Sequence, residues 1–493
     1  MQLSYINRVE QRDGLGWRLL LLTLVIVGIN FIGSLTNSTI QIALPQLANE
    51  MGVRYETLSV LISIYWLSAG VFALPAGKLG DIYSPKMMFV VGMSMFTGAT
   101  LMCALTDSYW LLIGSRSMQA VGLSATAVNG VALLRGIYPR EQINRAMGYW
   151  SAASSLGYVL GPSLGGFLVD MIGWRTTFSV CAGFVAIYIV IAVILLPKFE
   201  VEKGRFDYIG AGLLGVMITT VLLALTPIEG MGAYISPLNL LLIGLVTGVM
   251  FWQHEKRTET PLVDLSIFSN NRSFQMSLLA GAAYAASMQG LVFLLQYYMQ
   301  DLQGYSAAES GVFWMLMSIS NLVTCLFVGR LSEMAGPRKL AVTGTMVRVL
   351  SFAVLAGLAL VGVHQNYSGV IIGMILIVFG FGMGITAAPI HSLVLDSFES
   401  NGVGSVAGAY NTLRYVSNSA GIAIFSQSML LSPVVTGRSD MASAVAMSFG
   451  LALLIALLSA LFLVAGGMRR FVVHWLLVAK ERCLFCGRVI LAR

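Results

Sequence analysis

The 493-residue chain predicts an all-α polytopic membrane protein, two six-helix bundles with two inserted helices, fourteen transmembrane helices in all. Three observations carry this. Apolar residues make up 57% of the chain and charged residues 10%, far below the roughly 25% charged share of a soluble domain. Apolar runs long enough to cross about 30 Å of hydrocarbon as helices recur along its length. A polar stretch between two such runs, Gly77-Lys78-Leu79-Gly80-Asp81-Ile82-Tyr83-Ser84-Pro85-Lys86, returns 252 positions later as Gly329-Arg330-Leu331-Ser332-Glu333-Met334-Ala335-Gly336-Pro337-Arg338. That spacing marks duplicated halves.

The elements follow in order. Residues 1–17 are a polar tail, without the small-residue cleavage site of a signal peptide. Spans at 18–40, 58–76, 87–105, 109–132, 146–169 and 175–196 form the first bundle, 18–196. The linker 197–272 holds two further spans, 208–227 and 236–252. The flanking charged stretches Pro197-Lys198-Phe199-Glu200-Val201-Glu202-Lys203 and His254-Glu255-Lys256-Arg257 are too short to hide a folded soluble domain. Spans at 273–299, 310–330, 339–362, 368–391, 403–428 and 441–467 form the second bundle, 273–467. In 468–493, basic residues such as Arg469, Arg470 and Arg482 alternate with Phe471, Trp475 and Leu484, which predicts an amphipathic helix on the membrane surface.

Charge gives the orientation. Of 29 Lys and Arg residues, Arg54, Arg175 and Arg438 fall in loops on one side, and Arg116, Arg348 and Arg414 fall inside spans. The other 23 lie on the opposite side, so both termini are expected in the cytoplasm. The net charge of +7 is then explained by topology and anionic lipid, with no nucleic-acid partner. Cys103, Cys181 and Cys325 are isolated in apolar runs, and Cys483-Leu484-Phe485-Cys486 supplies two ligands where structural zinc needs four. No metal and no cofactor are expected. No phosphate-cradling GxxxxGK[ST] stretch supports an ATP-driven pump, and no paired intramembrane Asp supports an enzyme.

Polar residues inside spans are expensive unless they face protein, water or a counter-charge. In span four, Arg116 and Gln119 share a helix face at i and i+3. In span five, Gly157, Gly161 and Gly165 line up for close helix approach, and Pro162, followed by Gly165-Gly166, removes a backbone donor and bends the rod. A hinge is expected there. Span thirteen carries Arg414 in Asn411-Thr412-Leu413-Arg414-Tyr415. Arg348 lies near the cytoplasmic end of span eleven, where it is expected to snorkel.

The repeated loop resembles the signature loop of the major facilitator superfamily, between the second and third helices of each half. Arg116-x-x-Gln119-x-x-Gly122 is similar to that family's Arg-x-x-Gln-x-x-Gly motif. Gly161-Pro162-x-x-Gly165-Gly166 resembles the motif of its exporters. The inserted pair and the span-thirteen Asn-Thr-x-Arg stretch resemble its fourteen-helix drug:proton antiporter branch. The resemblance implies proton-coupled efflux of small amphiphilic compounds, multiple drugs among them, by alternating access, in a monomer of the cell membrane, or the inner membrane of a bacterium. It implies that Arg116 takes part in proton transfer; the residue chemistry leaves open an Arg that only locks helices through backbone carbonyls. It further implies that the loops, with Gly77, Gly80, Asp81 and Lys86 in one and Gly329, Glu333, Gly336 and Arg338 in the other, latch one state. Asp81 can face a helix N-terminus, and Lys86, Arg135 and Arg140 are candidate partners. The first loop has Ser84 where the family has Gly.

One departure matters for mechanism. Fourteen-span exporters often carry an acid near the end of the first helix, where this chain has Thr36. None of its 22 acidic residues falls in mid-membrane. Coupling would then use Asp170, Asp301, Glu309 or His391, and a cavity with Arg116 but no carboxylate would disfavour lipophilic cations. Trp66, Trp150, Tyr158, Trp314, Gln289 and Gln296 are candidates to line it. The missing acid also admits a transport-inactive membrane sensor that binds partners.

Overall fold

The computed structural model describes residues 15–52, 55–138, 143–197, 204–225, 236–263, 271–299, 303–361, 365–395, 403–436 and 444–466. Among them the first bundle contains α1 (Leu15–Met51), α2 (Tyr55–Ile82), α3 (Pro85–Leu105), α4 (Tyr109–Ile137), α5 (Ile143–Leu160) and α6 (Gly166–Leu195), with a π-helical turn at Gly161–Gly165 between the last two. The inserted pair is α7 (Tyr208–Leu225) and α8 (Pro237–Arg257). The second bundle contains α9 (Arg272–Tyr297), α10 (Ala307–Ala335), α11 (Pro337–Val361), α12 (Gln365–Leu395) and α13 (Val403–Thr436), closed by α14 (Ala444–Gly466). The tail 468–493, with its CxxC, and the first fourteen residues lie outside the described residues.

Twelve of the helices are long and apolar enough to cross a membrane, which makes this a multi-pass membrane protein. The two outside that set, α5 and α13, are rich in Gly, Ser and Asn and pack across the seam between the bundles, α5 on α10 and α13 on α2. A helix covered by protein does not need an apolar surface for lipid. The chain reverses between the fifth and sixth spans at Gly173, whose φ of 78° interrupts α6 and favours a residue without a Cβ.

Buried side chains gather into two large cores. One joins α1 to α6 around Tyr65, Phe89, Phe96 and Trp174. The other joins α9 to α14 around Tyr298, Phe352, Phe379 and Phe449. Each bundle crosses its third and fourth helices at glycines. A Cβ on Gly92 of α3 would meet the Gly122 carbonyl of α4 at 2.8 Å, and one on Gly344 of α11 would meet the Gly382 carbonyl of α12 at 2.7 Å. Gly92 and Gly344 are 252 positions apart, the offset of the repeated loop. Duplication therefore extends into the packing.

The same offset relates Lys86 to Arg338, the second residues of α3 and α11. Lys86 donates to the Val193 and Leu196 carbonyls at 2.8 and 2.5 Å. Arg338 donates to the Leu463 carbonyl at 3.0 Å and to Ser273 Oγ at 2.7 Å. Each cation thus satisfies orphan carbonyls at the C-terminus of its bundle's last helix, where the dipole is negative. Lys86, a candidate partner of Asp81 by sequence, thus also ties α3 to the end of α6. Replacing Arg338 with Ala is expected to cost about 1.5–3 kcal/mol, the range for hydrogen bonds to charged groups, seen as a lower melting temperature of the purified protein. An unchanged midpoint would show that these bonds add nothing.

The inserted pair also departs from expectation. The stretch His254-Glu255-Lys256-Arg257 is the last turn of α8 rather than a linker beyond the span. His254 Nε2 lies 2.9 and 3.0 Å from the two Asp207 carboxylate oxygens, and Val263 N donates to Glu255 Oε2 at 3.1 Å. Those contacts bury Asp207 and Glu255. Through Leu214, Ile218 and Leu222, α7 packs on Leu67 and Leu74 of α2 and on Val416 of α13, so the pair rests on the seam.

Candidate functional site

Arg116 on α4 is wholly buried. Its guanidinium donates to Gln119 Oε1 on the next turn, donates to Asn37 Oδ1 of α1 at 3.3 Å, and lies over the Tyr65 ring of α2 with 4.4 Å to the centroid. Gln119 Nε2 donates in turn to Thr100 Oγ1 of α3 at 2.8 Å. One cation thereby joins four helices. Its partners are side chains, not the backbone carbonyls expected of a simple helix lock. Desolvating such an ion costs several kcal/mol, offset here by charge-assisted hydrogen bonds and by a cation–π contact of about 0.5–2 kcal/mol.

Asn37, which the sequence did not single out, carries the network across the seam. Its side chain lies beside Tyr158 of α5, its amide nitrogen buried without a hydrogen-bond partner, and Tyr158 lies within electrostatic reach of Arg414 on α13. The Arg414 guanidinium sits 5.1 Å from the centroid of the Tyr415 ring. Tyr415 stacks on Trp66 of α2 at 5.6 Å between centroids and 28° between planes. Trp66 in turn meets Tyr65 edge to face at 5.5 Å. Thus Arg116, Gln119, Trp66, Tyr158 and Arg414, predicted separately, belong to one polar-aromatic group between the bundles. Tyr158 and Arg414 are half-buried; Trp66 and Tyr415 are buried. The two bundles meet closely beside this group, where a Cβ on Gly70 would lie 3.2 Å from the Val416 nitrogen and Ser419 Oγ donates to the Ser63 carbonyl at 3.1 Å.

The glycine row of α5 faces α1. A Cβ on Gly157 would touch the Phe31 carbonyl oxygen at 2.5 Å, one on Gly161 would collide with the Ser38 side chain, and one on Gly165 with Thr39. Ser34 and Ser154 share a hydrogen bond of 3.0 Å along the same contact. The π-helical turn begins at Gly161 and includes Pro162. Without an N–H, Pro162 cannot close the usual bond to the carbonyl of residue 158, and the widened turn absorbs that loss. Gly166 opens α6.

Other predicted residues lie elsewhere. Thr36 is buried and its hydroxyl donates to its own helix, to the Ile32 carbonyl at 2.9 Å and the Gly33 carbonyl at 3.1 Å. Trp150 packs on Gly130 of α4 and its carbonyl accepts from Asn30, while Trp314 belongs to the second core. Gln289 is buried on α9. The side chains of Gln296, Asp170 and Glu333, and all of Asp301, lie outside the described residues. Glu309 caps α10: Ser306 N donates to Glu309 Oε2 at 2.8 Å and Glu309 N donates to Ser306 Oγ at 3.2 Å. His391 is half-buried on α12, its ring 5.1 Å from that of Tyr410 and within reach of the Arg414 charge.

Arg348 corrects an expectation. Far from snorkelling, it is wholly buried on α11, donating to Ser287 Oγ at 2.6 Å and lying 4.5 Å from the Tyr284 centroid. Aromatic faces and one hydroxyl on neighbouring helices take the place of water, and Nε and Nη1 stay buried without a hydrogen-bond partner.

In the first loop, Gly80 abuts the Asn129 side chain of α4, whose amide donates to the Ala76 carbonyl at 3.1 Å; Gly77 faces Val128, and Asp81 is exposed. Ser84 occupies extended backbone at φ 173°, open to any residue, whereas its counterpart Gly336 has φ 83°, a region that favours glycine. The departure from the family pattern at Ser84 is therefore free of strain. Gly329 has open space around it.

Comparison with known proteins agrees with this architecture. The family model described as Major Facilitator Superfamily matches residues 26–422. The chain is 30% identical over 408 residues to the uncharacterized MFS-type transporter YvkA of Bacillus subtilis (strain 168), covering 80% of this chain and 86% of that protein. It is 26% identical over 408 residues to the multidrug resistance protein Stp of Mycobacterium tuberculosis (strain CDC 1551 / Oshkosh), covering 82% and 75%. Among solved structures, a POT family transporter crystallised with 5-aminolevulinic acid superposes with a TM-score of 0.67 at 14% identity, over 88% of this chain and 94% of that one. That likeness concerns the fold.

Proposed function

The chain belongs to the major facilitator superfamily, and we propose that it is a secondary active exporter of small amphiphilic compounds, of the fourteen-helix drug:proton antiporter kind, working by alternating access. The observation that carries the reading is the polar-aromatic group shared by α1, α2, α4, α5 and α13, which lies where two bundles meet and would be split and remade as they rock. A relative named for multidrug resistance supports efflux as the direction. So does the π-helical Gly-Pro turn against α1, a backbone irregularity of the sort found at functional sites.

Coupling to protons is part of the proposal. His391 is the titratable candidate within the described residues that neighbours Arg414, with Asp170 and Asp301 as alternatives from sequence. The protein would act as a monomer in the cell membrane with both termini in the cytoplasm. A transport-inactive sensor is the rival reading, favoured by one observation: among the described residues the buried carboxylates are Asp207 and Glu255, both at the inserted pair. Purified protein in liposomes with an imposed pH gradient separates the two. Gradient-driven movement of neutral or anionic amphiphiles is expected; movement that ignores the gradient would remove proton coupling, and no movement of any compound would leave the sensor.

A further inference from the structure

The group between the bundles is rich in hydrogen-bond donors and poor in acceptors. Arg116 Nε, Arg414 Nε, Trp66 Nε1 and the Tyr65 hydroxyl are buried without a partner. A buried donor left unmade costs about 1–3 kcal/mol, more when charged, so four along one chain of ring and cation contacts, Arg116–Tyr65–Trp66–Tyr415–Arg414, point to a ligand that accepts hydrogen bonds. Charge points the same way. Arg116 and Arg414 approach from opposite bundles through Asn37 and Tyr158, and no buried carboxylate among the described residues of either bundle compensates them. Buried cations ordinarily have a counter-charge.

Arg116 has spent its terminal nitrogens on Gln119 and Asn37. Arg414 is the half-buried one of the two, beside the buried Trp66–Tyr415 stack, which sets apolar rings next to a positive head. Resting on the exporter reading above and deepening it, we propose that the cargo is an organic monoanion, a carboxylate or sulfonate on an aromatic body, whose acid group is held by Arg414 and Tyr158 and whose ring lies against Trp66 and Tyr415. The cargo is itself the missing counter-charge. Because Arg414 and Tyr158 sit on different bundles, binding the acid group bridges the seam that must move during transport.

The test uses three molecules of similar size, 2-naphthoate, neutral 2-naphthamide and cationic N-methylquinolinium, with protein in liposomes of uncharged lipid so that no headgroup supplies the anion. Naphthoate is expected to move fastest and quinolinium slowest. Arg414→Gln should lower the naphthoate-to-naphthamide ratio about tenfold, the equivalent of one charge-assisted hydrogen bond, with Arg414→Lys recovering part of it. Asn37→Asp, which places a fixed carboxylate in the same donor group, should lower that ratio as well.

Binding is read independently as the rise in melting temperature of the purified protein. Millimolar naphthoate should raise it for the unmodified chain and for Arg414→Lys, and not for Arg414→Gln. If naphthoate stabilises in this Arg414-dependent way yet nothing is transported, the exporter reading fails and the anion site stands. If the compounds are transported with no preference for naphthoate, or Arg414→Gln treats all three alike, the anion site is wrong and the exporter reading survives. No stabilisation of the unmodified protein by naphthoate also overturns the site. Should Arg414→Gln fail to fold, Tyr158→Phe gives the same comparison.

Discussion

Arg116→Ala is expected to reduce transport to the level of empty liposomes while the protein still reaches the membrane. The substitution leaves Gln119 Oε1 and Asn37 Oδ1 without their charged donor, each a loss of about 1–3 kcal/mol. It also relieves the several kcal/mol cost of holding an ion away from water, so the balance for folding is small. For cycling the balance is different, because Arg116 is the joint at which α1, α2 and α4 share one network that leads through Asn37 to the seam. Uptake and expression measured together decide the matter, and normal transport by Arg116→Ala would end the idea that this cation works. Arg116→Lys then separates the two roles the sequence left open. Lys keeps the charge but cannot hold Gln119 and Asn37 with a planar fork, so activity retained in Lys assigns the work to charge and activity lost assigns it to geometry.

Gly161→Leu is expected to stop transport as completely, for a steric reason. Even a Cβ at this position collides with Ser38, and a branched side chain would force α5 away from α1 at the start of the π-helical turn, an overpacking cost of about 1–3 kcal/mol. The fold should tolerate that; the sliding of two helices over each other should not. The interface offers its own control. Gly161→Ala should impair transport, and adding Ser38→Gly, which removes the opposing Cβ, should restore it. A fully active Gly161→Leu protein would show that the close contact plays no part in the cycle.

Hydropathy, a property read along the chain, determined the fold class, an all-helical membrane protein, while α5 and α13, covered by protein, carry too little apolar surface to stand among the twelve. Gly157, Gly161 and Gly165 were legible as a close-approach row because helical periodicity puts them on one face whatever the neighbour is. Arg116 and Gln119 were legible as a pair for the same reason. What faces these residues was not. Asn37, Thr100 and Tyr65 became partners of Arg116 only when α1, α2 and α3 were placed around α4, and Asn37 is 79 residues from it in sequence.

Arg348 was misplaced because sequence measures distance from a span's end but not the aromatic faces of Tyr284 and Phe379 that cover it. The partners of Glu255 were not legible, because a charged run looks the same whether it faces water or folds back on Val263. The physical cause is common to all these cases. In a bilayer, lipid and protein interior are equally apolar, so composition does not tell an outward face from an inward one. The rotation of each helix, and with it the stacking of Trp66 on Tyr415 across the seam, is decided by packing between helices far apart in the chain.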